Sequence, residues 1–326
     1  MKHEIKQYNR IASLKKRNDF EDIFPQIVEI HPTYACNSNC NYCFHKDNNI
    51  VVSEDLLDVR RYRKLFEEMR ELKIFNLSIS GGGEPTLYKN LPFLIKKAGK
   101  NCLSVRIVTN GNLLSEDILK SLEFVEEIRF SLDAVNAVTY SKIKNVPLKR
   151  FLKTMKNIER VMIFKKKNNL NLKIGVTFLI NYDNYKEVRI FCVKMLKLGV
   201  DSVVIKSDIF GLFTLDNGKI EKIVKEIKNL KSKKIEFREI KAVIPEQIGC
   251  FIPYFKIAIN PFGKVYSCCL AAQPGSSVGF ELGDIKKNTL RSIWEKSAKM
   301  RKHVKREGIK CNFCNYTDYK INKLLN

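Results

Sequence analysis

Six short apolar runs recur up to residue 208: "QIVEIHP", "FNLSISGGG", "SVRIVTNG", "EIRFSLDA", "LKIGVTFLIN" and "SVVIKSD", ending near residues 32, 81, 109, 132, 180 and 208. Helix-patterned stretches separate them. Ser53 opens "SEDLLDVRRYRKLFEEMREL", with Asp55 behind it as a capping signal, and Ser115 opens "SEDILKSLEF". Strand-helix units in series predict a parallel sheet wound as a barrel or part of one. The expected fold is α/β: a partial (β/α)6 TIM-like barrel with a small C-terminal β-hairpin and helix extension. Polar residues gather where the runs stop: Cys36, Gly81 to Glu84, Asn110, Ser131, Asp133, Asn181 and Asp208. In a parallel α/β barrel those positions form the C-terminal rim, where strand-helix loops build sites.

After about residue 240 the pattern changes. "YFKIAINPFGKVYSCC" reads as two short strands joined by an "NPFG" turn, "TLRSIWEKSAKMRKHVKRE" as a helix, and the tail carries "CNFC". The expected organisation is an N-terminal extension over residues 1–24, a barrel over 25–240 and a cysteine-bearing domain over 241–326.

Between the first strand and the first helix lies "HPTYACNSNCNYCFHK", with Cys36, Cys40 and Cys43 within eight positions. The chain has ten cysteines; no apolar segment of signal-peptide type follows its charged start, and no run approaches the roughly 18 residues of a membrane span. The expected location is the cytoplasm, without membrane attachment, where clustered thiols serve as metal ligands rather than disulfides. Three thiolates can hold three corners of a four-iron cluster and leave the fourth iron open to a ligand. The alternative is structural zinc with His31 or His45 as fourth ligand, although zinc sites favour paired C-x2-C knuckles over this C-x3-C-x2-C spacing. The net charge of +24 is compatible with a polyanionic partner, but lysine-rich faces such as "KIEKIVKEIKNLKSKK" also solvate ordinary helices.

The pattern resembles the radical S-adenosylmethionine (SAM) enzymes, whose signature C-x3-C-x-aromatic-C is matched by Cys36, Cys40, Tyr42 and Cys43. The resemblance extends to "GGEP" at Gly82 to Pro85, "TNG" at Thr109 to Gly111 and "SLDA" at Ser131 to Ala134, and so covers about residues 25 to 210. It implies that a reduced cluster cleaves SAM to a 5′-deoxyadenosyl radical that takes hydrogen from substrate, the cofactor supplying the chemistry and the protein its orientation. By the same resemblance, Gly82 and Gly83 let the backbone approach SAM, Glu84 accepts from its amino group, and Tyr42 lies beside adenine. Ser131 and Asp133 meet the ribose hydroxyls or the carboxylate, and Asn181 the adenine or ribose. Lys144, in "YSKIKN", stands where relatives often have arginine and offers the SAM carboxylate a point charge rather than a bidentate fork.

Cys250, Cys268, Cys311 and Cys314 form a second set that resembles the SPASM/twitch extension, with "LGDI" and "SIWE" as its connecting segment. This implies one auxiliary 4Fe-4S cluster; a zinc ribbon is the alternative. Cys269 competes with Cys268 as ligand, since neighbouring strand residues face opposite ways, and Cys102 and Cys192 read as buried core thiols. An auxiliary cluster suits an oxidation, in which a hydroxylated small molecule such as a sugar or cyclitol loses hydrogen and the cluster takes the surplus electron. Peptide maturation and RNA modification are the alternatives; the implied partner is a reductant such as flavodoxin or ferredoxin, and nucleic acid is not favoured because no RNA-binding appendage is visible. No catalytic residue is named; Asp208, Glu239 and Tyr254 are candidates for lining the cavity.

Overall fold

The six apolar runs form the first six strands of a computed structural model that describes residues 23–43, 56–207, 215–238, 248–308, 311, 314 and 316–326. In chain order the first part holds β1 (Ile27–Ile30), α1 (Val59–Glu71), β2 (Asn76–Ile79), α2 (Leu91–Lys100), β3 (Ser104–Thr109), α3 (Glu116–Ser121) and β4 (Val125–Ser131). There follow α4 (Ala137–Lys144), α5 (Lys149–Lys167), β5 (Lys173–Ile180), α6 (Val188–Leu198), β6 (Ser202–Ser207), α7 (Asn217–Lys228) and β7 (Ile235–Arg238). The last part holds β8 (Lys256–Ile259), β9 (Lys264–Tyr266), β10 (Glu281–Asp284), α8 (Leu290–Lys296), α9 (Ala298–Glu307) and α10 (Tyr316–Leu325).

Local chemistry sets most of the boundaries. Ser115 caps α3, its hydroxyl accepting from the Ile118 amide at 3.2 Å. α1 starts later than the Ser53 signal predicts, at an Asp58 cap whose carboxylate takes the Arg60 amide at 2.6 Å; Ser53 and Asp55 lie outside the described residues. The "NPFG" turn closes the β8–β9 hairpin: Asn260 Oδ1 accepts from the amides of Phe262 and Lys264, each at 3.0 Å, and Gly263 takes φ +86°. The single helix expected over "TLRSIWEKSAKMRKHVKRE" is instead two, broken at Ser297. There the Ser297 hydroxyl bonds back to the Trp294 carbonyl at 3.0 Å, and the Arg301 guanidinium stacks 3.6 Å from the Trp294 ring and donates to the same carbonyl.

The strands form one sheet in the order β10-β9-β8-β1-β2-β3-β4-β5-β6-β7, parallel from β8 to β7. Two features differ from expectation. β7 was hidden because "IEFR", with two charges in four residues, carries little apolar signal. The C-terminal hairpin also joins the barrel sheet directly, β8 lying parallel to β1 with Ile27 opposite Lys256 and Ile30 opposite Ile259.

Strand residues alternate between two environments. Val28, Ile30, Leu77, Ile79, Val105, Ile107, Ile128 and Phe130 share one fully buried core with Tyr62, Leu65, Phe66 and Met69 of α1 and Leu91, Leu94, Ile95 and Ala98 of α2. The other face carries Glu29, Ser78, Arg106, Glu127, Arg129, Lys206 and Arg238, all partly buried. That face curls inward. Lys206 on β6 and Cys269, just beyond β9, feel each other's charge, although seven strand steps would separate them by roughly 34 Å in a flat sheet. The fold is thus a partial α/β barrel with a polar interior. Of the two thiols expected to be buried, Cys192 is buried in α6, whereas Cys102 is exposed, its backbone at φ +60° in the turn after α2.

Candidate active site

The cysteine loop after β1 is held from three sides. On one side it docks on the end of α4, whose last carbonyls have no helical partner: the amides of Asn39 and Asn41 donate to Lys144 and Ile143 at 3.0 and 2.9 Å, and the Asn41 side chain donates to Lys142 at 3.0 Å. On the second side the loop after β3 reaches it through Asn110, whose Nδ2 donates to Asn37 Oδ1 at 2.7 Å. On the third lies the glycine-rich loop after β2, with the Glu84 amide donating to the Ala35 carbonyl at 2.8 Å.

The close approach that requires Gly82 and Gly83 is therefore to this loop. A Cβ on Gly83 would lie 2.3 Å from the Ala35 carbonyl oxygen, and one on Gly82 would meet the Tyr34 ring at 2.6 Å and Gln273 at 2.8 Å. Glu84 is buried and stitches two rim loops together. Its Oε1 accepts from the Thr86 amide (3.0 Å) and hydroxyl (2.7 Å) and the Thr109 hydroxyl (2.6 Å), and its Oε2 from the Asn110 amide (2.7 Å). With four donors in place, Oε2 keeps room for one more, as an ammonium group would need.

Tyr42, Asp133 and Lys144, assigned by resemblance to separate parts of SAM, are bonded to one another. Lys144 donates to Asp133 Oδ2 and to the Tyr42 hydroxyl, and Tyr42 donates to the same carboxylate oxygen. Asp133 Oδ1 accepts from the Leu179 amide at 2.6 Å, and Asp133 itself sits at φ +61°. Burial alone would lower the pKa of Lys144; the Asp133 carboxylate overrides it and holds the amine well above its ordinary value. Next to this network, burial raises the Cys40 thiol while Lys144 pulls it back. Burial also pushes Cys36 up to about 11, with Glu84, Cys40 and Cys43 adding to it.

Ser131 ends β4, half-buried, opposite Thr177. Asn181 is buried, and its Oδ1 is taken by the Asp183 amide in a local turn. Its neighbour Asn184, absent from the sequence reading, joins the loops after β4 and β5 by donating to the carbonyls of Asp133 (2.9 Å) and Leu179 (2.8 Å). Tyr254 does not line the interior: it is buried edge-on to Trp294, ring centroids 6.1 Å apart. Asp208, Glu239 and His45 lie outside the described residues. Lys206 is not among the predicted site residues, although a lysine inside the apolar run "SVVIK" signals an inward-facing position.

The second cysteine set also converges. Cys314 feels the charges of Cys250, Cys268 and Cys311, and burial raises all four thiols, Cys250 to about 12 and Cys268 to about 11. The Ala271 amide donates to Cys268 Sγ at 3.4 Å and Asn322 to Cys250 Sγ at 3.7 Å. Cys269 turns toward the barrel interior, with Lys256 Nζ donating to its sulfur at 3.8 Å. Lys256 is paired with Asp318 at 2.7 Å.

These donor sets fit iron-sulfur clusters. A cluster takes its thiolates at separate corners, three in the first set and four in the second. Amides directed at the sulfurs of the second set suit thiolates.

The comparisons with known proteins agree. The radical SAM superfamily pattern matches residues 30–192, half of the chain, and the SPASM iron-sulfur cluster-binding domain matches residues 250–315. The chain is 28% identical over 183 residues to a tungsten-containing aldehyde ferredoxin oxidoreductase cofactor-modifying protein of Pyrococcus furiosus, covering 54% of this chain and 49% of that protein. It is 31% identical over 116 residues to an S-adenosylmethionine-dependent nucleotide dehydratase of Flammeovirga pacifica, covering 34% and 40%. The matched region thus spans half or less of either relative. In fold it is similar to Streptococcus suis SuiB bound to S-adenosylmethionine, with a TM-score of 0.67 at 16% identity over 89% of this chain and 70% of SuiB. SAM and 4Fe-4S clusters are its cofactors, and the chain belongs to the radical SAM superfamily, with a SPASM-type domain at its C-terminal end.

Proposed function

We propose that this enzyme oxidises a hydroxyl-bearing small molecule of sugar or cyclitol type held inside the barrel, with the C-terminal cluster accepting an electron. The carrying observation is that the loops bearing the two cysteine sets meet beside one polar interior: the loop after Cys268 packs on the cysteine loop of the first set through Tyr34 and Ala272, and Lys206 on the inner face feels the charges of both Asp133 and Cys269. Such an interior suits a polar substrate.

SAM on the reduced first cluster supplies the radical that takes a hydrogen atom from a substrate carbon. Cys36, Cys40 and Cys43 would hold that cluster, and Cys250, Cys268, Cys311 and Cys314 the other. Glu84 Oε2 would accept from the SAM amino group, and the Tyr42–Asp133–Lys144 network would fix the wall beside Cys40. Held by its cysteines, the second cluster would take up the electron left on the carbon as the hydroxyl gives up its proton, leaving a carbonyl, and a flavodoxin- or ferredoxin-type reductant would supply the electron that the first cluster needs.

The test is anaerobic turnover with a panel of sugars and cyclitols. One 5′-deoxyadenosine per carbonyl product, lighter than substrate by two hydrogens, supports the reading; a product of unchanged mass contradicts it. A second reading, peptide maturation, is favoured by the fold likeness to SuiB, which has also been solved with its precursor peptide SuiA. Turnover confined to peptides selects it.

A further inference from the structure

We propose that Lys206, flanked by Arg129 and Arg238 on the inner face of the barrel, is the docking point for a carboxylate or phosphate group of the substrate. The inference rests on the small-molecule reading above and names the chemistry that such a substrate carries.

The strand register places the group. Lys206 on β6 stands opposite Leu179 of β5 and Arg238 of β7; Arg129 of β4 lies on the same face, level with Ser202 and so four residues before Lys206, and its charge reaches the amine through its long side chain. Gly175 and Ser202, the β5 and β6 residues level with Arg129, are small. A Cβ on Gly175 would lie 2.7 Å from Ser202 Oγ and 3.4 Å from Arg129 Nε, so glycine leaves the arginine room to extend toward β6.

Charge accounting on this face singles out Lys206. Arg129 and Arg106 pair with Glu127, Arg238 with Glu236 at 2.8 Å, Lys256 with Asp318, and Glu29 with His31 at 2.9 Å. Among the described residues Lys206 is the one strand cation here with neither a hydrogen bond nor an ion pair, and the Nε of Arg129 is buried without a hydrogen-bond partner. A partly buried ammonium beside two guanidinium groups is costly unless an anion joins it. Burial, then Arg129 and Arg238, lower its pKa to about 8, with Asp133 and Cys269 pulling the other way. A bound anion relieves that repulsion.

Sulfate and acetate are the probes, titrated by calorimetry into the reconstituted enzyme with SAM present. Binding with Kd below ~10 mM is expected, weakened about tenfold or more by Lys206→Met and no more than about threefold by Lys206→Arg. Lys173→Met, which removes an exposed lysine paired with Glu126, should leave it unchanged. Sulfate does not titrate near neutrality, so its affinity should fall as pH rises past about 8 and Lys206 loses its proton. Tighter sulfate points to a phosphate substrate, tighter acetate to a carboxylate. Binding of neither ion to the wild type, or equal binding by a folded Lys206→Met enzyme, overturns the proposal. Because ion binding needs no turnover, this result and the oxidation test succeed or fail separately.

Discussion

The hydroxyl of Tyr34, two residues before Cys36, donates to the carbonyl of Ala272, four residues after Cys268, at 2.5 Å. The Tyr34 ring also packs edge-on against Phe262 of the hairpin turn, centroids 5.7 Å apart. This contact fastens the C-terminal loop over the first cysteine loop. Tyr34→Phe keeps the ring but strands a buried carbonyl, so denaturation should report a loss of about 1–3 kcal/mol.

Gly83→Ala should act on one cluster alone. Its methyl group would overlap the Ala35 backbone at 2.3 Å, forcing the cysteine loop off its seat. Iron should fall from about eight to about four per chain, since each cluster holds four, and SAM cleavage should vanish while the C-terminal cluster's spectrum survives.

Lys144→Met leaves the Asp133 carboxylate buried without its cation. Such a removal costs about 3–5 kcal/mol, and anaerobic denaturation should show it. Adding Asp133→Asn should recover a large part, because the leftover charge, more than the lost contact, makes the single variant unstable.

Cys268 and Cys269 should separate cleanly. Cys268 faces Cys314 and takes the Ala271 amide, whereas Cys269 faces Lys256. Iron analysis should show that Cys268→Ala loses the C-terminal cluster and Cys269→Ala retains it.

Glu29 predicts an acid limb of stability. Burial alone would raise its pKa, but the hydrogen bond and charge of His31, the charge of Lys256 and the Ser80 hydroxyl hold it at about 2. A carboxylate depressed in the folded state stabilises above its unfolded value near 4.5. That contribution shrinks as pH falls from there toward about 2. Glu29→Gln should flatten this limb in unfolding midpoints measured against pH.

The strand-helix rhythm and the cysteine spacing were legible in the sequence because both are local patterns. So was part of the interior, since charged residues interrupt the apolar runs at Glu29, Arg106, Arg129 and Lys206. The partners of those charges were not legible, because strand register and barrel curl choose them. Lys144 and Asp133 lie 11 positions apart, yet their bond to Tyr42, about ninety positions before Asp133, exists only because the cysteine loop docks on the end of α4. Similarly, Asn184 outranks Asn181 as a loop tie because a turn consumes the Asn181 carbonyl.

We propose that two iron-sulfur clusters serve one SAM-cleaving barrel. Iron, sulfide and zinc assayed on anaerobically reconstituted enzyme, with 5′-deoxyadenosine measured on the same sample after reduction, test it most directly. About eight irons per chain, together with SAM cleavage that Cys36→Ala abolishes, is the predicted result; about four irons with tightly held zinc would contradict it.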